Sequence, residues 1–355
     1  MPISAKSWPD PRIATTRTVT AFFPAQAAPA LAPVHTRTFW SWLRQVRYRA
    51  ATSQAPAIIG APSALNRIQA RHKSSSLLVP IVEPGAPDWD RKIARVARLM
   101  GTSQIDRLIV ALPLPAGCYS EVALARMIEM DGSVSLVDTE ASHAKPAGKG
   151  SAARRAQLPI KGIIDRVGAA FLATILAPLL LLVAALIRLT SRGPVFFVQP
   201  RLGRHNLVIP VIKFRTMYVD QGDRLGACRT VPGDLRVTRL GRFLRRWSID
   251  ELPQLFNVLA GHMSLVGPRP HTVMMKAGER LYFEALPAYL DRHSVKPGIT
   301  GWAQVNRLSG QVDSLEGGRA RLAYDLDYIE NWSLWLDLKI FVMTSTVFFD
   351  RVDRY

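Results

Sequence analysis

Val167-Gly168-Ala169-Ala170-Phe171-Leu172-Ala173-Thr174-Ile175-Leu176-Ala177-Pro178-Leu179-Leu180-Leu181-Leu182-Val183-Ala184-Ala185-Leu186-Ile187 is a run of 21 residues without a charge, and its reading decides the fold. As one straight helix it is long enough to cross the roughly 30 Å hydrocarbon core of a bilayer. Its flanks oppose that simple reading. Arg154, Arg155, Lys161 and Arg166 precede it, and Arg188, Arg192, Arg201 and Arg204 follow. The positive-inside bias assigns both ends to the cytoplasmic side. Pro178 lacks a backbone donor and crowds the preceding turn, so it supplies a bend. A membrane helix over 161–190 that dips into one leaflet and returns satisfies both facts; a single span is the alternative that these residues leave open.

The rest of the composition agrees with work at an anionic surface. The chain has 355 residues, 48% of them apolar, which is enough for one or two domains with real cores. Lys plus Arg is 46 against 27 acidic residues, a net charge of +19. Such a balance suits an anionic leaflet, a polyanionic substrate or nucleic acid. No nucleic-acid-binding motif accompanies the charge, so nucleic acid is not an expected partner. Two cysteines, Cys118 and Cys228, exclude a disulfide framework and fit a reducing compartment. Residues 1–33 lack the compact apolar core of a cleavable signal.

Residues 1–54 read as poorly ordered, apart from a basic-aromatic stretch over 36–49 with Phe39, Trp40, Trp42 and Leu43. That stretch reads equally as an interfacial amphipathic helix or as a remnant helix. Over 55–138 the pattern alternates: strands near 56–60, 76–82, 107–112 and 133–137, with helices at 63–71, 89–100 and 121–130. Such alternation predicts a small parallel sheet. Gly60-Ala61-Pro62 carries proline where a dinucleotide-binding turn needs a second glycine, so no dinucleotide is expected there. The Ala-, Gly-, Lys- and Ser-rich residues 139–157 read as a linker. Beyond the apolar run, 193–199 and 208–214 read as a hairpin, 221–234 as a glycine-bearing loop, 240–247 as a basic helix and 252–259 as its helical continuation. Residues 265–270 read as a loop, because two prolines two apart break either element. The apolar residues 332–349, with tryptophans near their start, read as an interfacial helix or a buried core helix.

Ser248-Ile249-Asp250-Glu251-Leu252-Pro253 is the densest candidate site. Ser248 and Glu251 have capping-box spacing, while Pro253 prefers the first helical position, so the register is open by a turn. In either register a helix start and Arg242, Arg245 and Arg246 hold the two carboxylates ionised at neutral pH. An ionised aspartate can attack phosphorus, and its neighbour can bind Mg²⁺ through oxygen. Adjacent acids at a helix start are more often there for the macrodipole alone. The surroundings shift that balance. Lys213, Arg215, Arg245, Arg269 and Lys296 lie in or beside turns, where side chains converge on a diphosphate.

Four stretches in order then resemble one family: Lys213-Phe214-Arg215-Thr216-Met217, Asp250-Glu251-Leu252-Pro253-Gln254, Ser264-Leu265-Val266-Gly267-Pro268-Arg269-Pro270 and Val295-Lys296-Pro297-Gly298-Ile299-Thr300-Gly301-Trp302-Ala303-Gln304-Val305-Asn306. They are similar to the bacterial sugar transferases, monotopic phosphoglycosyl transferases that act on polyprenyl phosphates, and the likeness spans about residues 158–350. Tyr324-Asp325 to Asp337, with Trp332 and Trp335, is similar to the glucose-phosphate transferases of exopolysaccharide synthesis. The resemblance implies an α+β membrane-associated catalytic domain over 158–355 with a re-entrant helix, preceded by a small α/β Rossmann-like domain.

The same resemblance implies the chemistry. Asp250 attacks the β-phosphate of a UDP-sugar, UDP-glucose before UDP-galactose, and releases UMP. The phosphosugar then passes to undecaprenyl phosphate at the cytoplasmic face of the inner membrane, starting an exopolysaccharide or capsule. Glu251 holds Mg²⁺; Lys213, Arg245 and Arg269 bind phosphate oxygens; Gln304, Asn306 and Asp325 line the nucleotide-sugar pocket. Membrane lipid is a partner, and a homo-oligomer is left open. Three departures stand out: Lys161-Gly162 where the family carries Lys-Arg, Ala177 before Pro178 where serine is common, and Arg307 where glycine usually follows Gln-Val-Asn. The last lies near the proposed sugar. A catalytically inactive membrane scaffold on the same fold is the alternative, and the intact Asp250, Glu251, Arg269 and Lys296 speak against it.

Overall fold

The computed structural model describes residues 56–71, 77–80, 89–101, 105, 107–112, 127, 133–138, 152–219, 230–231, 233–277, 280–286, 288–308 and 314–349. The expectations for residues 1–54, for the 121–130 helix apart from Met127, for 139–151 of the linker and for most of the 221–234 loop lie outside these, while residues 152–157, read as the end of the linker, are helical.

The alternating region forms a parallel sheet. Strands β1 (Ala57–Gly60), β2 (Leu77–Pro80), β3 (Arg107–Leu112) and β4 (Ser133–Asp138) pair in the order β2-β1-β3-β4, every pair parallel. Helices α1 (Pro62–Arg71) and α2 (Trp89–Gly101) follow the first two strands. The period of two sorts the side chains of β1: Ile58 packs with Ala64, Leu65 and Ile68 of α1, while Ala57 and Ile59 face Val96 and Met100 of α2. One residue, Ala61, separates β1 from α1.

The sheet shares its core with the rest of the chain. The cluster that holds Ala57 and Ile59 also takes in Leu202, Val273, Met274, Tyr282 and Tyr289, and Ser135 of β4 makes an antiparallel bridge to Leu207.

The apolar run forms two helices, α3 (Ala152–Ile175) and α4 (Ala177–Thr190), bent by 62°. Among the described residues no single helix is long and apolar enough to cross a membrane, whereas this pair passes together. The break falls at Leu176, and Pro178 sits in the first turn of α4, where its missing N–H costs no helical bond. The proline therefore starts the second helix and does not kink one continuous helix. Ala169 packs on Ile209, Val211, Leu255, Val258 and Met263, and Val183 and Ile187 pack on Phe214 and Leu244. Ile163, Val167, Phe171, Leu181, Leu182 and Leu189 point away from the protein and are exposed.

Strands β5 (Phe196–Leu202) and β6 (Val208–Phe214) form the expected hairpin, with Phe197 opposite Lys213 and Arg201 opposite Ile209. This register and the period of two bring Lys213, Gln199 and Arg201 to one face. Helix α5 (Arg239–Arg246) is capped by Thr238, whose Oγ1 accepts from Gly241 N at 2.9 Å. Helix α6 (Gln254–Leu259) lies against the outer edge of β6 through buried Asn257: its Oδ1 accepts from Ile212 N at 2.9 Å, and its Nδ2 donates to the Pro210 carbonyl at 2.6 Å.

The region read as a loop over 265–270 begins as a strand. β7 (Ser264–Val266) pairs in parallel with β10 (Gly298–Thr300), and irregular chain starts only at Gly267. Between them lie β8 (Lys276–Ala277), β9 (Arg280–Leu281) and the short helix α7 (Tyr282–Ala285). Helices α8 (Trp302–Val305), α9 (Leu315–Asn331) and α10 (Leu334–Phe349) are the last elements among the described residues. α10 is buried along one side, as the core reading expects, and exposed along the other. Ile340 is buried with Trp332, Tyr328 and Val266, while Trp335, Leu338, Phe341 and Val342 are exposed.

Candidate active site

Asp250 and Glu251 occupy a short 3-10 turn, Ile249–Glu251, between α5 and α6. Ser248 enters it in the left-handed conformation, φ 50°, without a side-chain cap bond, and Pro253 stands at the N-cap of α6. The capping-box reading is therefore corrected: a non-glycine residue held at positive φ turns the chain so that both carboxylates face the hairpin.

The two carboxylates have different surroundings. Glu251 Oε1 accepts from Lys213 Nζ at 2.7 Å and from Arg269 Nη2 at 2.5 Å, and its Oε2 accepts from Arg269 Nη1 at 2.9 Å. Burial alone would raise its pKa, but Arg269 and Lys213 outweigh burial and hold it well below the usual carboxylate range. Asp250 is buried, and among the described residues no donor lies within hydrogen-bond reach of its carboxylate. Burial pushes it up to about 6, against the pull of Lys213 and with the push of Glu251. The expectation that surrounding arginines hold both acids alike thus divides. Glu251 is a clamped anion, and Asp250 is a bare carboxylate that burial pushes up to about 6.

Lys213 and Arg269, which the resemblance assigned to phosphate oxygens, are engaged by Glu251. Arg245 is close enough to pull on Asp250 and donates through Nε to Thr216 Oγ1 at 2.8 Å. Arg201 joins them although the sequence reading counted it only as a flank of the apolar run. It is half-buried, donates from Nη1 to the Pro270 carbonyl at 2.5 Å and from Nε and Nη2 to Gln199 Oε1 at 3.2 and 2.9 Å, and feels Arg269, Glu251 and Asp250. The signal that could have found it is alternation: Gln199 and Arg201 share a strand face opposite the strand of Lys213.

Other expected residues are engaged elsewhere. Arg215 is spent on the end of the bent helix pair, donating to the Arg192 carbonyl and, at 2.8 Å each, to the Ser191 carbonyl and Oγ. Lys296 feels the charges of Arg166, Asp165, Arg204 and Lys161. Gln304 Nε2 donates to the Ile299 carbonyl at 3.2 Å, leaving its buried Oε1 without a partner, and Asn306 Nδ2 donates to the Trp302 carbonyl at 2.8 Å. Asp325 is fully enclosed, its Oδ2 accepting from Arg292 Nε and Nη2 at 3.0 and 2.7 Å. Arg292 Nη2 also donates to the Arg269 carbonyl at 2.8 Å, so Asp325 stands behind the site, at the back of the Arg269 loop. Arg307, where glycine was expected, keeps the left-handed conformation with φ 65°.

The departure at Gly162 is covered from one turn ahead. Arg166 Nη1 donates to the Gly162 carbonyl at 3.2 Å, while Lys161 Nζ donates to Asp337 Oδ2 at 2.7 Å and to the Val266 carbonyl at 3.1 Å. Asp165 accepts from Ser264 Oγ at 2.7 Å and Leu265 N at 3.1 Å, which ties α3 to β7 beside the Arg269 loop.

Among the described residues no group of three or more His, Cys, Asp or Glu side chains is placed to hold a metal by itself. The hard oxygens of Asp250 and Glu251 suit Mg²⁺ nonetheless, because that ion takes one or two carboxylates and completes its shell with substrate phosphates and water.

The profile of the family described as "Bacterial sugar transferase" matches residues 156–351, more than half of the chain. The chain belongs to that family. Among relatives of this bacterial sugar transferase, the undecaprenyl-phosphate glucose phosphotransferase of Komagataeibacter xylinus is 53% identical over 184 residues, 52% of this chain and 35% of that protein. The UDP-glucose:undecaprenyl-phosphate glucose-1-phosphate transferase of Escherichia coli K12 is 40% identical over 253 residues, 71% of this chain and 51% of that protein. An Aeromonas hydrophila UDP-N-acetylgalactosamine-undecaprenyl-phosphate N-acetylgalactosaminephosphotransferase is 42% identical over 185 residues, 52% of this chain and 42% of that protein. The chain thus spans about a third to a half of the length of these three relatives.

Proposed function

We propose that the chain transfers a sugar 1-phosphate from a UDP-sugar, UDP-glucose first, to undecaprenyl phosphate, as the opening step of exopolysaccharide or capsule assembly. The observation that carries this reading is the division between the two carboxylates. Asp250 is buried and bare, so its oxygen is free to attack, while Glu251 fixes Lys213 and Arg269 beside it. The glucose in the names of the first two relatives supports the choice of sugar; the N-acetylgalactosamine of the third shows how a similar chain serves another.

In the first step an Asp250 oxygen attacks the β-phosphorus, the bond from that phosphorus to the bridging oxygen breaks, and UMP departs with the electron pair. Lys213, Arg245 and Arg269 hold non-bridging oxygens as charge builds. In the second step a phosphate oxygen of undecaprenyl phosphate attacks the same phosphorus and releases the Asp250 carboxylate. Mg²⁺, held by Glu251 and the substrate, would supply charge neutralisation at the diphosphate. The bent pair α3–α4 lies in the cytoplasmic leaflet of the inner membrane, its exposed apolar residues in lipid, and α10 rests at the interface through Trp335.

Membranes containing the chain, incubated with radiolabelled UDP-glucose, UDP-galactose and UDP-N-acetylgalactosamine, test the reading. Label from UDP-glucose enters the lipid fraction with stoichiometric UMP, and Asp250→Asn abolishes both. Transfer by Asp250→Asn at the wild-type rate would rule out the covalent route. Absence of lipid label from every donor would favour the inactive scaffold.

A further inference from the structure

The arginine that the sequence reading assigned to a membrane flank is a half-buried cation with no ion-pair partner among the described residues. Arg201 lies on β5 with its guanidinium partly open to the site, and its hydrogen bonds reach no carboxylate. Its three hydrogen bonds go to neutral acceptors, the Pro270 carbonyl and Gln199 Oε1, and use three of the five guanidinium N–H groups. Even partial burial of a charge without a counterion carries a desolvation cost. A neutral donor could hold the Pro270 carbonyl without that cost, so support of the loop does not explain why the residue is charged.

The surrounding charges do. Lys213, Arg245, Arg269 and Arg201 gather around Asp250 and Glu251, four positive groups against two negative ones. The side chains alone leave a surplus of two positive charges when Asp250 is ionised, before any Mg²⁺ is counted. A sugar nucleotide carries one negative charge on each of its two phosphates, so the site stays attractive to it with or without the ion. Gln199 accepts from both Nε and Nη2 and so fixes the plane of the guanidinium, with the carbonyl of the residue after Arg269 at its other end. A planar fork held in one orientation is suited to non-bridging phosphate oxygens.

We propose that Arg201 is a phosphate-binding residue of the site, taking an oxygen of the substrate diphosphate together with Arg269, and that Gln199 is its positioning residue. The inference rests on the diphosphate substrate proposed above.

Binding, with no turnover required, tests it. Isothermal titration of the full chain in lipid nanodiscs with UDP-glucose and, separately, with inorganic pyrophosphate is compared for the wild type, Arg201→Lys, Arg201→Gln and Gln199→Glu. Arg201→Gln keeps a donor for the Pro270 carbonyl but removes the charge. Gln199→Glu removes nothing and supplies Arg201 with an internal carboxylate. Both neutralising variants are expected to weaken pyrophosphate roughly tenfold to a hundredfold, about 1.4 kcal/mol per tenfold step, and to flatten the dependence of affinity on salt. Arg201→Lys stays within a few-fold of wild type. A purely structural Arg201 would instead lower the melting temperature of Arg201→Gln and leave Gln199→Glu binding as the wild type does. Pyrophosphate affinity unchanged in both neutralising variants overturns the inference. Wild type that binds pyrophosphate but no UDP-sugar would sink the proposed substrate, while loss of pyrophosphate binding in the two variants would still support Arg201.

Discussion

Arg292 and Asp325 form a fully enclosed ion pair, 2.7 Å from Nη2 to Oδ2, and the same Nη2 holds the backbone carbonyl of Arg269. Burial opposes the Arg292 charge, but the Asp325 carboxylate outweighs it and raises the pKa of the guanidinium. The pair is thus a rigid strut behind the Arg269 loop, whose flanking prolines offer no N–H of their own.

Removing one partner leaves a buried charge uncompensated. Asp325→Asn is expected to cost about 3–5 kcal/mol of stability and to raise KM for the UDP-sugar as Arg269 loosens. Thermal melts and initial rates check this. A pocket-lining Asp325 would give the KM change with an unaltered melting temperature.

Asp250 supplies a pH signature. Its carboxyl is pushed up to about 6, so formation of the phosphosugar intermediate should fall about tenfold per pH unit below that value and level off above it. The sign for stability is opposite. A raised carboxyl pKa means that the folded chain binds the proton more tightly than the unfolded chain, so its burial costs stability that appears as pH rises from the ordinary value through about 6. Asp250→Asn should therefore melt higher than wild type at pH 8, by of the order of 1–3 kcal/mol, and equal to it near pH 4. Equal melting at pH 8 would remove the argument from burial.

Glu251→Gln leaves Lys213 and Arg269 without their shared carboxylate. A loss of the order of 3 kcal/mol in stability and at least a hundredfold in UMP release are expected, with UDP-sugar binding affected less than turnover. Calorimetry and a coupled UMP assay separate the two effects.

Chelation discriminates a substrate-borne Mg²⁺ from a structural one. With no three-donor cluster among the described residues, EDTA should stop UMP release while leaving the melting temperature of the substrate-free chain within a degree. A large fall in melting temperature would reveal a resident structural ion.

The bent helix pair is open to labelling. In a background with Cys118 and Cys228 replaced by serine, cysteines at Leu158 and Arg192, which are both exposed, should react only from the cytoplasmic side. Periplasmic labelling at either position would make α3–α4 a broken span.

Much of the fold could be read from chain-neighbour patterns. The strand over Arg107–Leu112, the hairpin partner Val208–Phe214 and α2 fall within a residue or two of their expected bounds, because β-branched alternation and helical spacing are properties of adjacent residues. The bend was expected too, displaced to Leu176 because proline is tolerated in the first turn of a helix and not in its interior. Ser264–Val266 was missed as a strand, since its partner Gly298–Thr300 lies far along the chain and parallel pairing leaves no local turn signal.

The site divides along the same line. The sequence by itself determined which chemistry was at hand: adjacent Asp250 and Glu251, basic motifs in order, and an apolar run bent at its middle. Only the tertiary structure decided which charges meet. Glu251 is clamped by residues 38 and 18 positions away, Asp325 by one 33 away. That folding turned Arg215 and Lys296 aside and drew Arg201 in. The physical reason is that burial and Coulomb forces act through space, so the pKa of Asp250 and the partner of each cation are set by strand register and helix docking, which no local pattern encodes.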